Sequence, residues 1–276
     1  MTLTRDSMVG LVATLEYLQE QARNQSSLFE GLQSFCLFVG YPKSGHSLVG
    51  ALLDAHPDMV VAHELDCLRF LRAGFGRELI FSLLLEMSAA FLNEGHSWNG
   101  YAYSVAGQWQ GKYRSLRVLG DKKGGATTRM LQRHPELLDR LYATVRLPIK
   151  WIHVTRNPVD NIAGICRQHG PPPEQAAEVY FSLARAVAEL KTRIPPSDFF
   201  EIQYESFSRE PELHLSRLCS FLGRESEPGY LSACAAIVRP AQSTLGDPKG
   251  WPAGLAGRVR QQCGEFDFLR GYTTPG

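Results

Sequence analysis

The sequence has almost no net charge and no long hydrophobic run. Its formal net charge is +1 at pH 7, which gives no global reason to expect nucleic acid or an anionic membrane as a partner. The most apolar run after the N-terminal region, Leu79 to Leu85, is far too short to span a bilayer and is followed by Glu86. We therefore predict no nucleic-acid partner and no membrane partner, and any anion-binding site has to be local.

Cysteine pairs of the C-x-x-C type, which mark many zinc and redox sites, are missing. The six cysteines lie mostly in apolar segments, which favours reduced core thiols over disulfides or a zinc site. Residues 6–24 have the apolar spacing of an amphipathic helix and lack the uninterrupted apolar core of a signal peptide. We predict a cytoplasmic protein.

Internal repeats, low-complexity tracts and a convincing linker are also missing. The 276 residues are enough to bury a sizeable core in one large domain. We predict a single domain over residues 1–276, with a helix in residues 1–30 packed on it. Short apolar runs alternate with helical patterns, which indicates an α/β fold with a central parallel sheet flanked by helices.

The most informative stretch, residues 35–54, combines a strand, a glycine-rich turn and a helix start. The five apolar residues Phe35 to Val39 predict a buried strand, and the apolar spacing from Leu48 to Leu53 predicts a helix. Backbone N–H groups at such a turn lie at the positive end of the helix dipole, where a phosphate-like or sulfate-like anion binds. An ordinary strand-to-helix turn is the alternative interpretation.

This turn partly matches the phosphate loop G-x-x-x-x-G-K-[ST]. Gly40 and Gly45 occupy its glycine positions, and Ser47 occupies the position of its hydroxyl. The lysine is displaced, because His46 stands in its usual position and Lys43 lies inside the loop. An NTPase uses that lysine on the terminal phosphates, so the pattern predicts a P-loop-type, three-layer fold without ordinary nucleotide hydrolysis.

Polar residues also follow two further predicted strands. Met59 to Ala62 predicts a strand that ends at His63 and Glu64, and Ile149 to Thr155 predicts one that ends at Arg156. Ligands of open parallel sheets bind beside the carboxyl ends of the strands. These side chains are therefore candidates for a functional site.

Additional strands are predicted at Leu116 to Leu119 and at Phe199 to Gln203. Asn157 and Pro158 are suited to the cap and the first turn of a helix.

Residues 95–113 have no helix or strand period and carry five aromatic residues. These are Trp98, Tyr101, Tyr103, Trp109 and Tyr113. Long irregular segments are often lids or binding loops, and the alternative is a surface excursion whose aromatics cap the core.

Together these motifs resemble the sulfotransferases that use 3′-phosphoadenosine 5′-phosphosulfate (PAPS). Residues 41–45 (Tyr-Pro-Lys-Ser-Gly) look like the family's 5′-phosphosulfate loop, and residues 154–160 look like its 3′-phosphate motif. Residues 120–123 and 201–205 match its lysine-containing strand end and its late strand. The resemblance runs from about Phe35 to the C-terminus.

One branch of that family, the tyrosylprotein sulfotransferases, is especially similar. Residues 52–64 share its Leu-Asp-Ala-His-Pro run and an acidic residue at the same spacing. Residues 243–249 and the closing Gly271-Tyr272 also look like that branch.

The resemblance implies PAPS as the donor and a reaction that needs no metal. It implies that Lys43 stabilises the leaving phosphate and that Arg156 pairs with the 3′-phosphate. The other implied donor contacts come from Ser44, Gly45, His46, Ser47, Gly164, Tyr204, Lys249 and Gly250. Two of these depart from the family pattern, because many members have threonine at His46 and a serine is expected at Gly164.

For the acceptor, the resemblance gives Glu64 as the general base, with His63 as its rival. A partly buried carboxylate can have a raised pKa, and adjacent strand residues point to opposite faces, so we expect only one of the two to enter the cleft. Further acceptor-binding candidates are Lys122, Lys123, Trp98 and Tyr101, the last two within an acceptor-site loop at residues 95–115.

Three functions follow as hypotheses. The first is sulfuryl transfer from PAPS to a hydroxyl or amine of a small-molecule or peptide acceptor, by a monomer or homodimer. The second is a P-loop kinase or NTPase that uses Mg-ATP. The third is a binding module for PAPS, or for its product 3′-phosphoadenosine 5′-phosphate (PAP), that has lost activity.

Overall fold

The computed structural model describes residues 16–98, 100–241 and 248–273. Its main sheet contains five parallel strands, which are β1 (Ser34–Val39), β2 (Met59–His63), β5 (Val118–Lys122), β6 (Ile149–Thr155) and β7 (Phe199–Gln203). Their order across the sheet is β2-β5-β1-β6-β7. A separate antiparallel hairpin pairs β3 (Ser97–Trp98) with β4 (Tyr101–Ala102).

Helices cover both faces of the main sheet. Those before β6 are α1 (16–24), α2 (Ser26–Glu30), α3 (His46–Asp54), α4 (Cys67–Arg72), α5 (Arg77–Asn93), α6 (Gly125–Arg133) and α7 (Leu137–Val145). Those after it are α8 (Pro158–His169), α9 (Pro173–Thr192), α10 (Tyr204–Arg209), α11 (Pro211–Phe221), α12 (Pro228–Ala235) and α13 (Leu255–Cys263). Short 3-10 helices cover Pro196–Asp198 and Asp267–Tyr272.

The central strand β1 explains the three layers. All six of its residues are buried, because strands pair with it on both sides and helices cover both faces. Phe35 and Leu37 pack into one hydrophobic cluster with residues of α4, α5 and α7, whereas Cys36 and Phe38 pack into another with residues of α3, α11 and α12. Successive strand side chains point to opposite faces, so the predicted three-layer α/β fold is confirmed.

Parallel pairing brings the carboxyl ends of all five strands to one edge. Val39 at the end of β1 lies opposite His153 of β6, and His63 at the end of β2 lies opposite Lys122 at the end of β5. The segments that follow these strands therefore share one edge of the sheet, where ligands of such sheets bind.

The strand predicted at Leu116 to Leu119 begins two residues and ends three residues before the observed strand β5. The apolar run ends at Leu119, but β5 extends to Lys122 because two polar side chains have partners inside the protein. Asp121 accepts hydrogen bonds from the amides of Leu65 and Cys67 at 3.2 and 2.7 Å, and Lys122 binds Glu64. In the sequence alone, buried polar residues of this kind cannot be told from the polar residues of a loop, so the end of the strand was not predicted.

Some short elements were not predicted. The hairpin within residues 95–113 has two-residue strands, which are too short to give a period, and α10 and α12 are also short.

Residues 1–15, in which part of the N-terminal helix was predicted, lie outside the described residues. Single-domain organisation stays a prediction. No helix in the described ranges is both long and apolar enough to cross a bilayer.

Candidate active site

The loop between β1 and α3 offers a row of backbone donors. Lys43 and Gly45 have positive φ angles of 68° and 103°, which turn the chain sharply into the nine-residue helix α3. Within the described part of the chain, the amides of residues 44–47 donate no hydrogen bond. Four unsatisfied donors at a helix N-terminus form a site for an anion.

The side chain of His46 does not take part in this outer face. It is 7% exposed, and its Nε2 donates to the carbonyl oxygen of Val39 at 3.0 Å. The ring therefore binds the strand that precedes the loop, and a donor contact from His46 stays a prediction for its amide. Its amide remains among the free donors.

Lys43 lies against Gly164 on α8. A methyl group placed on Gly164 would be 3.0 Å from Lys43 Cγ, so the missing side chain makes room for the lysine stem. The space that a side chain at position 164 would fill is taken by Lys43, and a donor contact from Gly164 stays a prediction. Burial, and secondly the charge of Arg167, lower the pKa of Lys43.

Arg167 was missed in the sequence. It follows Gly164 by three residues on α8, so the two share one face of the helix, and a three-residue spacing is the signal that could have identified it. Neither Arg167 nor Lys43 forms an ion pair with a carboxylate anywhere in the described ranges. Two neighbouring cations without a counter-charge favour an anionic ligand between them.

Arg156 and the phosphate loop are joined by Tyr204. The guanidinium carbon of Arg156 lies 5.4 Å from the centre of the Tyr204 ring, a cation–π distance. The same ring covers Gly45, where a methyl group would be 2.7 Å from Tyr204 Cε2. The structure thus brings Arg156, Tyr204 and the loop together, and their role as one donor site stays a prediction.

Glu205 fixes the segment that follows Arg156. Its Oε1 accepts a hydrogen bond from the amide of Asn157 at 2.8 Å, and its Oε2 accepts one from the Tyr272 hydroxyl at 2.6 Å. Asn157 caps α8 by accepting from the amide of Val159 at 3.0 Å. The predicted cap at Asn157, with a proline in the first turn, is confirmed.

Glu64 lies between two lysines. Its Oε1 is 2.8 Å from Lys122 Nζ, and its Oε2 is 2.9 Å from Lys123 Nζ. Burial alone would raise the pKa of Glu64, but the charges and hydrogen bonds of both lysines outweigh it and lower the pKa to about 2. The expectation of a raised pKa at Glu64 is wrong, since both oxygens already bind ammonium groups.

His63 faces the same lysine as Glu64. Its Nε2 lies 3.5 Å from Lys122 Nζ, and its ring stacks on Phe91 at 4.0 Å. Burial, and secondly Lys122, lower the pKa of His63 to about 3, so the ring is neutral. Glu64 lies beyond β2 and has a left-handed φ of 67°, so the alternation of strand side chains does not separate it from His63, and both side chains contact Lys122.

Lys122 and Lys123 have different environments. Lys122 is 2% exposed, and besides Glu64 and His63 it contacts Ser47 Oγ at 3.0 Å. Its three ammonium hydrogens thus have three acceptors within the protein. Burial lowers the pKa of Lys122 to about 8, against the opposing effect of Glu64. Lys123 is half-buried, and Glu64 is the one carboxylate among the described residues with which it pairs.

The aromatic segment reaches this cluster. The ring centres of Trp98 and Tyr103 lie 5.3 and 6.2 Å from that of His63, and Tyr101, 61% exposed, lies 6.4 Å from Tyr103. Burial raises the pKa of Tyr103 to about 12, although a hydrogen bond with Ser47 opposes this. Tyr103 is therefore a site residue that the sequence reasoning did not single out.

Two polar side chains hold the rest of this segment to α3. Asp54 accepts hydrogen bonds from the amides of Gly111 and Val61 at 2.9 and 2.8 Å. Gln110 donates to the carbonyl of Ala51 at 3.2 Å and accepts from the amide of Val105 at 2.7 Å. The segment is thus anchored to the helix that follows the phosphate loop.

The donor contacts predicted near the C-terminus are not linked to the phosphate loop by side-chain contacts like those of Tyr204. Lys249 and Gly250 lie in an exposed turn before α13, and Ser243 and Thr244 lie outside the described residues. Among the described residues, no group of three or more His, Cys, Asp or Glu side chains is positioned to hold a metal ion.

Comparison with solved structures agrees with this architecture. The chain is similar to the sulfotransferase domain of the Synechococcus PCC 7002 olefin synthase, with a TM-score of 0.50 and 17% identity over 74% of this chain and 78% of that one. It is similar to the sulfotransferase domain from the curacin biosynthetic pathway, with a TM-score of 0.51 and 18% identity over 75% and 84%. For sulfotransferase STF9 from Mycobacterium avium, the TM-score is 0.51 and the identity 11% over 91% and 81%.

Sequence comparison gives the family. Curated protein sequences give no significant match, and the closeness to the tyrosylprotein branch stays a prediction. Residues 37–228 match the family model described as "Sulfotransferase family", which covers well over half of the chain and includes the phosphate loop, Glu64, Lys122 and Arg156. This chain therefore belongs to the sulfotransferase family and is a sulfotransferase rather than a kinase.

Proposed function

We propose that this sulfotransferase takes its sulfuryl group from PAPS and transfers it to a hydroxyl or amine of a small-molecule or peptide acceptor. The observation that carries the proposal is the row of free amides at residues 44–47, next to Lys43 and at the same sheet edge as Arg156. The amides suit a 5′-phosphosulfate, and a guanidinium suits bidentate pairing with a 3′-phosphate. Lys249 and Gly250 are proposed as further contacts to that phosphate.

Lys43 is proposed to stabilise the leaving group. In sulfuryl transfer the bond between sulfur and the bridging oxygen of the donor breaks, and a bond between sulfur and the acceptor atom forms, in line and through a loose transition state by analogy with phosphoryl transfer. Negative charge grows on the bridging oxygen, which stays with the 5′-phosphate. A positioned cation in a partly dry site stabilises that charge.

Glu64 is proposed to receive the acceptor's proton. It is ionised at every physiological pH and is half-buried beside the cleft. A carboxylate with so low a pKa is a weak base, but a loose transition state places little positive charge on the attacking atom, so a strong base is not required. His63, neutral and buried against Phe91, is the competing proton acceptor.

Residues 95–115 are proposed as the acceptor wall. Trp98 and Tyr103 lie near the His63 ring, and Tyr101 is exposed beside them. Lys123 is half-buried and pairs with Glu64. A flat apolar group carrying the acceptor hydroxyl or amine would pack on these rings, and Lys123 would hold a negative charge on the acceptor.

The charge of Lys122 predicts an alkaline limit to activity. Because its pKa is lowered to about 8, Lys122 is charged below that pH and loses its proton as the pH rises through it, leaving Glu64 less compensated beside an anion-binding loop. Since kcat/KM reports the free enzyme, we expect kcat/KM for PAPS to fall about tenfold between about pH 7.5 and about pH 9.5.

The control is Lys122→Arg, which keeps a charge throughout this range. Its profile should stay level where that of the wild-type protein falls. A wild-type profile that is flat to about pH 10 would contradict the assignment.

The donor is tested by thermal unfolding with PAP in the absence of magnesium. A ligand that binds the folded state raises the unfolding temperature, so we expect PAP to stabilise the protein and Mg-ATP to have little effect. Stabilisation by Mg-ATP alone would overturn the proposal. Transfer of labelled sulfate to a panel of phenols, alcohols, amines and tyrosine peptides then separates an active enzyme from an inactive binding module.

A further inference from the structure

His46 occupies a slot made by two glycines. A methyl group on Gly40 would lie 2.9 Å from His46 Cε1, and one on Gly124 would lie 2.7 Å from His46 Nδ1. Phe38 closes the slot with its ring at 5.8 Å and nearly perpendicular to the imidazole. These contacts come from β1 and from the segment after β5, so the ring is held by two different parts of the sheet edge.

Both ring nitrogens have partners that belong to the loop or its strand. Nε2 lies 3.0 Å from the Val39 carbonyl, which can only accept, so Nε2 carries the hydrogen. Burial first, and then the nearby His153 and Lys122, lower the pKa of His46 to about 3, and the neutral ring offers Nδ1 as an acceptor. Ser44 Oγ lies 3.0 Å from Nδ1 and 3.1 Å from the Tyr41 carbonyl.

The hydroxyl hydrogen of Ser44 is therefore directed into the protein. Ser44 is fully buried, and both acceptors within reach of its hydroxyl belong to buried residues, Tyr41 and His46. The one hydroxyl hydrogen of Ser44 has two acceptors, Nδ1 of His46 and the Tyr41 carbonyl, and Nε2 of His46 donates to Val39. The backbone amides of residues 44–47 have no hydrogen-bond partner among the described residues.

We propose that His46 is a positioning residue of the donor site, which fixes the phosphate loop from its inner side through Val39 and Ser44 so that the amides of residues 44–47 converge on one anion. This inference rests on the proposed PAPS-binding function. According to this inference, the side chain of His46 contacts the rest of the loop and not the donor.

The test compares His46→Ala with His46→Gln. Glutamine can place an amide nitrogen near the position of Nε2 and donate to Val39, whereas alanine cannot. Loss of two buried hydrogen bonds that organise the loop should weaken PAP binding and raise the KM for PAPS about tenfold in His46→Ala, with kcat at saturating PAPS changed less than about twofold. The His46→Gln variant should recover most of the lost affinity.

A double-mutant cycle with Ser44→Ala tests whether His46 affects PAPS binding through Ser44. If Ser44 and His46 act as one unit, the double variant should have about the same KM for PAPS as His46→Ala alone. Independent effects that multiply would overturn the coupling. Calorimetric titration with PAP supplies the affinity without turnover.

The proposed PAPS-binding function and the proposed role of His46 would be overturned by different results. Wild-type protein that does not bind PAP would overturn the proposed function itself. Wild-type protein that binds PAP, together with a His46→Ala variant that binds it equally well per folded molecule, would overturn only the role of His46. A lower unfolding temperature with unchanged PAP affinity would likewise mean that His46 supports the fold and not the donor site.

Discussion

Replacement of Lys43 by methionine is expected to lower kcat for sulfuryl transfer by at least about a hundredfold, the range seen when one preorganised electrostatic contact to a developing charge is removed. Methionine retains most of the apolar stem that packs over Gly164, so the loop should keep its shape. The KM for PAPS should change only a few-fold, because the amides of residues 44–47 and Arg156 remain. Steady-state kinetics with saturating acceptor measure both constants.

The matched control is Lys150→Met. Lys150 lies near the start of β6, at the other end of that strand from Arg156, and pairs with Asp198, and its replacement removes the same charge from the molecule. Its kcat should equal that of the wild-type protein. A Lys43→Met variant with near-normal kcat would mean that another cation, with Arg167 as the first candidate, stabilises the leaving group.

Local sequence patterns were enough to predict the phosphate loop and the strand ends. The glycines and proline of residues 40–45 lie within a few positions of an apolar run and a helical pattern, and their meaning depends on the backbone alone. The same holds for Asn157 as a helix cap. Parallel pairing then follows from the alternation of strands and helices, so the sheet edge that carries His63, Glu64 and Arg156 could be predicted.

The electrostatic state of the site could not be predicted in this way. Glu64 and its two lysines are separated by 58 and 59 residues, and their pairing depends on the register between β2 and β5. A register shift of one residue would point Lys122 to the other face of the sheet. The carboxylate of Glu64 could therefore be identified from the sequence, but its pKa was expected to be raised. No residue near Glu64 in the sequence indicates that two ammonium groups bind it.

The orientation of His46 depends on a similarly distant neighbour. Gly124 lies after β5, and only the packing of β5 beside β1 brings it against the imidazole. In the sequence, a histidine at this loop position looks like a ligand contact. In the folded protein, two glycines from separate segments make a slot that turns the ring away from the ligand.

The proposed donor and acceptor sides of the site are physically connected. Ser47 begins the link on α3, its hydroxyl contacts Lys122 Nζ, and Lys122 contacts both Glu64 and His63. Ser47 also acts on the Tyr103 hydroxyl of the aromatic segment, whose pKa it lowers against the larger effect of burial. A change in the position of the phosphate loop should therefore alter the groups that bind the acceptor, in addition to those that bind the donor.

The strongest test of this dependence is Gly45→Ala, which we expect to abolish measurable PAP binding at donor concentrations that saturate the wild-type protein. The φ of 103° at Gly45 is unfavourable for any side chain, and the new methyl group would overlap the Tyr204 ring at 2.7 Å from Cε2. Backbone strain and overpacking together should destabilise the protein by about 2–4 kcal/mol. Calorimetric titration with PAP and chemical unfolding measure the two effects.

Two variants separate the loss of the site from the loss of the fold. Gly257→Ala adds the same methyl group at an exposed helical glycine with open space around it, and it should leave PAP binding unchanged and stability equal or slightly higher. In a Gly45→Ala, Tyr204→Ala double variant the overlap is removed but the backbone strain remains, so stability should recover in part while PAP binding stays weak. If Gly45→Ala binds PAP normally, the loop amides are not the donor site, because the substitution disturbs the backbone within the row of amides itself.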